Sequence, residues 1–207
     1  MPLKSPDLPV SSPALARVAR GDLCAGCGAC AGLAPGKVRM EATAPGYLRP
    51  IQTAPLTDEE DAAIAAICPG LGQSTDVGGR HHSVLWGPYV GVRLGWATDP
   101  ELRFAGSSGG ALSAILCHLL ETGKVDAVVQ TAADPAFPIG NRTVVSDNRA
   151  AVLTAAGSRY APSAPLSDLA TYTSSGRRFA FVGKPCDAAA LRALTARDET
   201  LSRTFPV

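Results

Sequence analysis

The sequence predicts a mixed α/β chain, α+β overall, in which a small cysteine-bearing unit precedes a larger layer of alternating strands and helices. Three observations carry that prediction. Cys24, Cys27 and Cys30 recur at two-residue intervals in one glycine-rich loop and are answered by Cys68-Pro69. From Val84 onward strand-like and helix-like segments alternate, the mark of an α/β layer. Between the two, residues 70–83 are rich in glycine and polar side chains and lack periodicity. The expected division is an arm over 1–16, the cysteine unit over 17–70, a linker over 71–83 and the α/β layer over 84–207.

Pro2, Pro6, Pro9 and Pro13 stand among serines and small residues, a composition that resists helix and sheet and predicts a loose arm. After the cysteine loop, residues 37–43 and 47–52 alternate in character around Ala44-Pro45-Gly46, as two strands about a turn do. Thr57-Asp58-Glu59-Glu60 is a capping box that starts a helix running to Ile67 and delivers Cys68 toward the other cysteines. His81 and His82 lie in the linker, and adjacent residues seldom face one metal, so they read as solvated. Residues 89–97 read as a strand, 111–121 as a helix and 125–131 as a buried strand. Helices are predicted over 147–155, 166–173 and 187–194, with a compact apolar strand over 179–182. Phe205-Pro206-Val207 reads as the start of a further strand, so the layer is expected to be incomplete at its C-terminus.

Composition narrows the function classes. Nineteen Lys and Arg against 18 Asp and Glu leave no nucleic-acid footprint and no polybasic membrane patch. No stretch approaches the roughly 18 apolar residues of a membrane span. The residues after Met1 form no secretory h-region, so a cytoplasmic protein with reduced cysteines is expected.

Closely spaced thiolates on a glycine-rich loop converge on one soft metal centre. The bacterial iron-sulfur pattern is C-x2-C-x2-C-x3-C-P, whose last cysteine serves the other cluster of a two-cluster protein. Here that position is Ala34, followed by Pro35, and the partners expected before Cys68 are Ile64, Asp61 and Asp58. A second cluster has lost both halves of its ligand set. The remaining pattern predicts one 4Fe-4S cluster on Cys24, Cys27, Cys30 and Cys68, in a degenerate ferredoxin-like unit. Zinc usually takes cysteine or cysteine/histidine pairs, and a disulfide framework needs an oxidising compartment.

Three further motifs stand at loop-to-helix positions. Gly106-Ser107-Ser108-Gly109-Gly110 precedes a predicted helix, whose unpaired N–H groups and positive dipole end suit a phosphate, although glycines there also serve turns and packing. Beside an electron-transfer cluster, a flavin is the natural occupant. Gly157-Ser158-Arg159-Tyr160 offers a flexible backbone, a fixed cation and an aromatic plane; the alternative is an ordinary loop. Gly183-Lys184-Pro185-Cys186 links a strand to a helix at the carboxyl end of the strand, where open α/β sheets place ligands. Cys186, at a helix start near Lys184, is expected to favour its thiolate and is a candidate ligand or redox residue. Cys117 reads as a core thiol and His118 as a surface residue.

Taken together, Cys24-x2-Cys27-Gly28-x-Cys30, Ser107-Ser108-Gly109-Gly110, Gly157-Ser158-Arg159-Tyr160 and Gly183-Lys184-Pro185-Cys186 resemble, in order and spacing, the coenzyme F420 hydrogenase/dehydrogenase beta-subunit family. The resemblance runs over residues 23–194. It implies an iron-sulfur flavoprotein oxidoreductase that moves electrons between ferredoxin or a redox partner subunit and a small-molecule two-electron acceptor such as coenzyme F420. By resemblance, Cys24, Cys27, Cys30 and Cys68 carry the cluster. Ser107 to Gly110, Gly157 to Tyr160 and Lys184 line an FAD site, and Cys186 matches a cysteine that binds a second cluster in some members. Relatives continue well past the position of Val207, so a fragment is expected, with parts of the flavin site beyond it. The rival readings are an electron-transfer module without its own substrate and a metal-stabilised binding module. No catalytic residue is assigned.

Overall fold

The computed structural model describes residues 12–73, 78 and 80–207. Its first helix, α1 (Pro13–Arg20), begins inside the stretch expected as a loose arm; residues 1–11 lie outside the described residues. Proline suits the first helical position because its missing N–H has no partner to lose there. Ser12 caps the end by accepting from the Leu15 N–H. Ala14, Leu15 and Val18 then fall on one buried face.

The cysteine loop leads into the short helix α2 (Ala29–Leu33) and the hairpin of β1 (Val38–Thr43) and β2 (Tyr47–Gln52), paired from Thr43 against Tyr47 to Val38 against Gln52. The capping box at the start of α3 (Asp58–Ile67) forms as expected. Thr57 accepts from the Glu60 N–H, and the Glu60 carboxylate accepts from the Thr57 N–H while holding Lys37 at 2.7 Å. Cys68 is the residue that ends α3.

A small hairpin follows, β3 (His81–Ser83) against β4 (Gly87–Tyr89). Both histidines are exposed, and His81 lies against the Tyr89 ring. The strand expected over 89–97 does not form: residues 90–97 join no ladder among the described residues, and Val90, Val92 and Leu94 face outward. Alternation marks one apolar face, but a strand also needs a neighbour for its backbone.

Asp99 caps α4 (Pro100–Ala105), and a single turn of 3-10 helix, Ser108–Gly110, leads into α5 (Ala111–Glu121). The main sheet has the order β6-β5-β7. β5 (Ala127–Asp134) runs antiparallel to β6 (Phe137–Ser146) and parallel to β7 (Phe179–Phe181), so that Val128 stands between Ser146 and Ala180. The helices α6 (Arg149–Thr154), α7 (Leu169–Ser174), α8 (Pro185–Thr195) and α9 (Glu199–Thr204) complete the mixed α+β arrangement. No helix among the described residues is long and apolar enough to cross a membrane.

β5 is buried on both faces over residues 127–130, which is why Ala127, Val128 and Val129 are apolar without alternation. Val128 packs with Leu116, Cys117 and Val152 on one side. On the other, Val129 joins Leu166, Leu169, Phe179, Leu191 and Phe205, together with Ala29 and Ile67 from the cysteine-bearing segments. The cysteine loop and the main sheet therefore share a core. Truncating the fully buried Leu166 to alanine in that core would cost about 2–5 kcal/mol.

Candidate functional site

The four predicted cysteines line a single apolar cavity, with Val18, Met40, Ile64 and Ile67 among its walls. Gly26 (φ +75°) and Gly28 (φ +85°) turn the loop in left-handed conformations that side chains resist, bringing Cys24 and Cys27 round to Cys30 on α2. The Gly26 N–H donates to Cys24 Sγ at 3.4 Å. Cys68 arrives from the end of α3. Burial pushes the Cys27 and Cys30 thiols up to about 12, and neighbouring cysteines add to the shift in both. Burial also raises Cys68, against the N–H groups of Gly70 and Leu71, which favour its thiolate. Cys27, Cys30 and Cys68 therefore favour the thiol until a cationic centre displaces the protons. All six cysteines are free of disulfides. Among the described residues, no three His, Cys, Asp or Glu side chains group as a site for a single metal ion. Four thiols in an apolar cavity, with N–H groups turned on sulfur, are the donor set that could hold an iron-sulfur cluster.

A second cavity, of about 510 Å³, gathers the three motifs from the α/β portion. Ser107 and Ser108, then Gly157, Ser158 and Arg159, then Gly183 and Lys184 all line it. The Ser158 hydroxyl bonds Ser107 Oγ at 2.9 Å, tying two of the loops together. α5 and α8 both begin at its wall, so two positive helix ends converge with the Arg159 and Lys184 cations. An anion such as a dinucleotide pyrophosphate fits that environment.

Gly109, Gly110 and Tyr160 do not line this cavity. Ser108, Gly109 and Gly110 have φ of +51°, +68° and +68°, a left-handed run that only glycine accepts without strain. A Cβ at Gly109 would come to 2.9 Å from Trp96 Cβ, and one at Gly110 would strike the Leu102 carbonyl. Both positions therefore need glycine for the turn and its packing. The Tyr160 side chain is 97 % exposed.

Sequence reasoning missed Asp187, which is 1 % exposed. Its carboxylate accepts from the Lys184 N–H at 2.8 Å and pairs with Lys184 Nζ at 2.9 Å, while Nζ also donates to the carbonyl and hydroxyl of Ser163. An acid three residues after Lys184, at the start of a helix, was the available signal. Cys186 lines neither cavity and lies 3.8 Å from Asp187 Oδ1. Its expected thiolate preference is corrected: burial first and the Asp187 charge second raise this thiol, outweighing Lys184. Cys117 is buried in the core and His118 is exposed, as expected.

One segment of chain links the two cavities. Residues 157–167 begin in the larger one and end against the cysteine loop, where the Leu166 N–H donates to the Cys27 carbonyl at 3.1 Å. Ser163 and Asp187 face the larger cavity, and the Asp187 charge raises Cys27 in the smaller one.

Residues 92–170 match the protein family described as coenzyme F420 hydrogenase/dehydrogenase, beta subunit N-term. A chain of the F420-reducing NiFe hydrogenase complex from Methanosarcina barkeri is 27 % identical over 53 % of this chain, with a TM-score of 0.47. The aligned part spans 38 % of that chain. No curated protein matches.

Proposed function

We propose, for a chain that belongs to the coenzyme F420 hydrogenase/dehydrogenase beta-subunit family through residues 92–170, that it is an iron-sulfur flavoprotein passing electrons from a one-electron donor to a two-electron acceptor. The family itself is one of oxidoreductase electron transfer. Cys24, Cys27, Cys30 and Cys68 would hold a 4Fe-4S cluster, and the cavity lined by Ser107, Ser108, Gly157, Ser158, Arg159 and Lys184 would hold FAD. Bound there, the cluster supplies one-electron exchange and the flavin its conversion to hydride chemistry.

The protein's own groups prepare both sites. The N-terminal ends of α5 and α8 and the Arg159 guanidinium would neutralise the pyrophosphate. Lys184 is held by Ser163 and Asp187, so its ammonium needs little ordering when an anion arrives. The apolar walls around the thiols exclude water and favour a cluster of low net charge. Ferredoxin or a redox partner subunit is the proposed donor, and a small molecule such as coenzyme F420 the proposed acceptor. The single observation that carries the reading is the segment 157–167, which lines the nucleotide-sized cavity with Gly157, Ser158, Arg159 and Ser163 and bonds the cysteine loop through the Leu166 N–H.

The test is reduction of FAD bound to the anaerobic protein by reduced ferredoxin, compared with Cys68→Ala. The reading expects reduction in the wild type and little in the variant. Equal rates in both would reject it.

A further inference from the structure

Among the described residues, one buried side-chain polar atom meets no hydrogen-bond partner, the hydroxyl of Ser167. Native folds leave few such atoms, and each calls for a physical explanation, a redox role or a bound partner among them. Ser167 is fixed by its neighbours: its N–H donates to the Ala164 carbonyl at 3.1 Å, and the Leu166 N–H holds the Cys27 carbonyl at the same distance. Its Oγ occupies the space that a Cβ at Gly28 would fill. Gly28 is itself a wall of the cysteine cavity, between the ligand candidates Cys27 and Cys30. The hydroxyl thus reaches the cysteine loop only because residue 28 has no side chain.

We propose that Ser167 donates its O–H to a sulfur of the iron-sulfur cluster carried by Cys24, Cys27, Cys30 and Cys68, and so raises the reduction potential of that cluster. The inference rests on the cluster reading above. On accepting an electron the cluster gains one negative charge and the sulfur becomes a better acceptor, so a donor stabilises the reduced state more than the oxidised one. A serine hydroxyl rotates to suit its acceptor and stays neutral across the working pH range, so the contribution adds no proton to the electron transfer. Ser167 is a positioning residue on this account, acting on the electron-accepting group through one hydrogen bond.

The experiment uses the full chain, purified anaerobically, as wild type, Ser167→Ala and Ser167→Thr. Iron content and a mediated redox titration are measured on each. The proposal expects equal iron in all three and a more negative midpoint in Ser167→Ala. The expected shift is about tenfold in the one-electron equilibrium, or about 59 mV. Ser167→Thr, which keeps the hydroxyl, should stay close to the wild type. An unchanged midpoint in Ser167→Ala with its iron intact overturns the proposal and leaves the cluster reading standing. Iron lost from Ser167→Ala makes the hydroxyl a support of the loop, which also overturns it. A wild-type chain that takes up no iron overturns the cluster reading and this inference together.

Discussion

Asp187→Ala removes a carboxylate that holds the start of α8 and the Lys184 ammonium at once. Its Oδ2 accepts from the Lys184 N–H at 2.8 Å, and a buried charge-assisted bond of this kind contributes about 1.5–3 kcal/mol. The ion pair to Nζ, at 2.9 Å, adds less: the Lys184 side chain is 41 % exposed, so water solvates the ammonium when its partner is gone, and about 0–1 kcal/mol is at stake. The expected loss is about 1.5–4 kcal/mol. Asp187→Asn keeps an acceptor for the N–H without the charge, and should lose about half as much. Urea unfolding of the anaerobic protein reads this directly, as a lower midpoint at unchanged slope. FAD affinity should fall with it, because Lys184 keeps only Ser163 as an anchor. Asp187→Ala within about 0.5 kcal/mol of wild type would refute the assigned role, since that is the range of a surface substitution without partners.

Gly28→Ala places a methyl on the Ser167 hydroxyl and 3.0 Å from the Ala164 carbonyl, at a φ of +85°; iron content should drop while FAD binding persists. Asp126 is held down to about 2 by its hydrogen bonds with Arg178, which join the start of β5 to the residue before β7. Because its folded value is depressed, that stabilisation is full above the ordinary aspartate value of about 4 and disappears as pH falls through about 2. The gap in melting temperature between wild type and Asp126→Asn should therefore be present at neutral pH and vanish in strong acid. Arg192 and Arg197 line a recess beside Pro69, next to Cys68. Reversing both to glutamate should slow reduction by an acidic donor about tenfold at low ionic strength, with little effect at high salt, when iron content is unchanged.

Local patterns were legible in the sequence because the chemistry that sets them is local. The cysteine spacing, the hairpin over 38–52 and the Thr57 capping box each involve residues a few positions apart. Loops before helices were legible for the same reason, and Ser107, Ser158 and Lys184 do meet at one cavity. What failed depended on distant neighbours. β6 was not predicted: it holds Pro138, Gly140 and Asn141, which strands disfavour, yet an edge strand accommodates them. Pro13 read as a breaker, although it stands where a helix accepts proline. The close approach of Trp96 and Leu102 to Gly109 and Gly110 likewise had no signal in the sequence, because it comes from other parts of the chain. Ser167 carries no local signal at all. Only the approach of residues 157–167 to the cysteine loop puts its hydroxyl against Gly28.

The central claim is that one chain holds a four-thiol cluster and a flavin at two cavities linked by residues 157–167. Iron and flavin counted in the same anaerobic preparation test it most directly, for the wild type, Cys27→Ala and Cys68→Ala. The account predicts about four irons and about one FAD per wild-type chain. Both variants should lose their iron to the same degree and keep their flavin. Full iron retention in Cys68→Ala, or a wild-type chain that holds zinc and no flavin, would contradict the account.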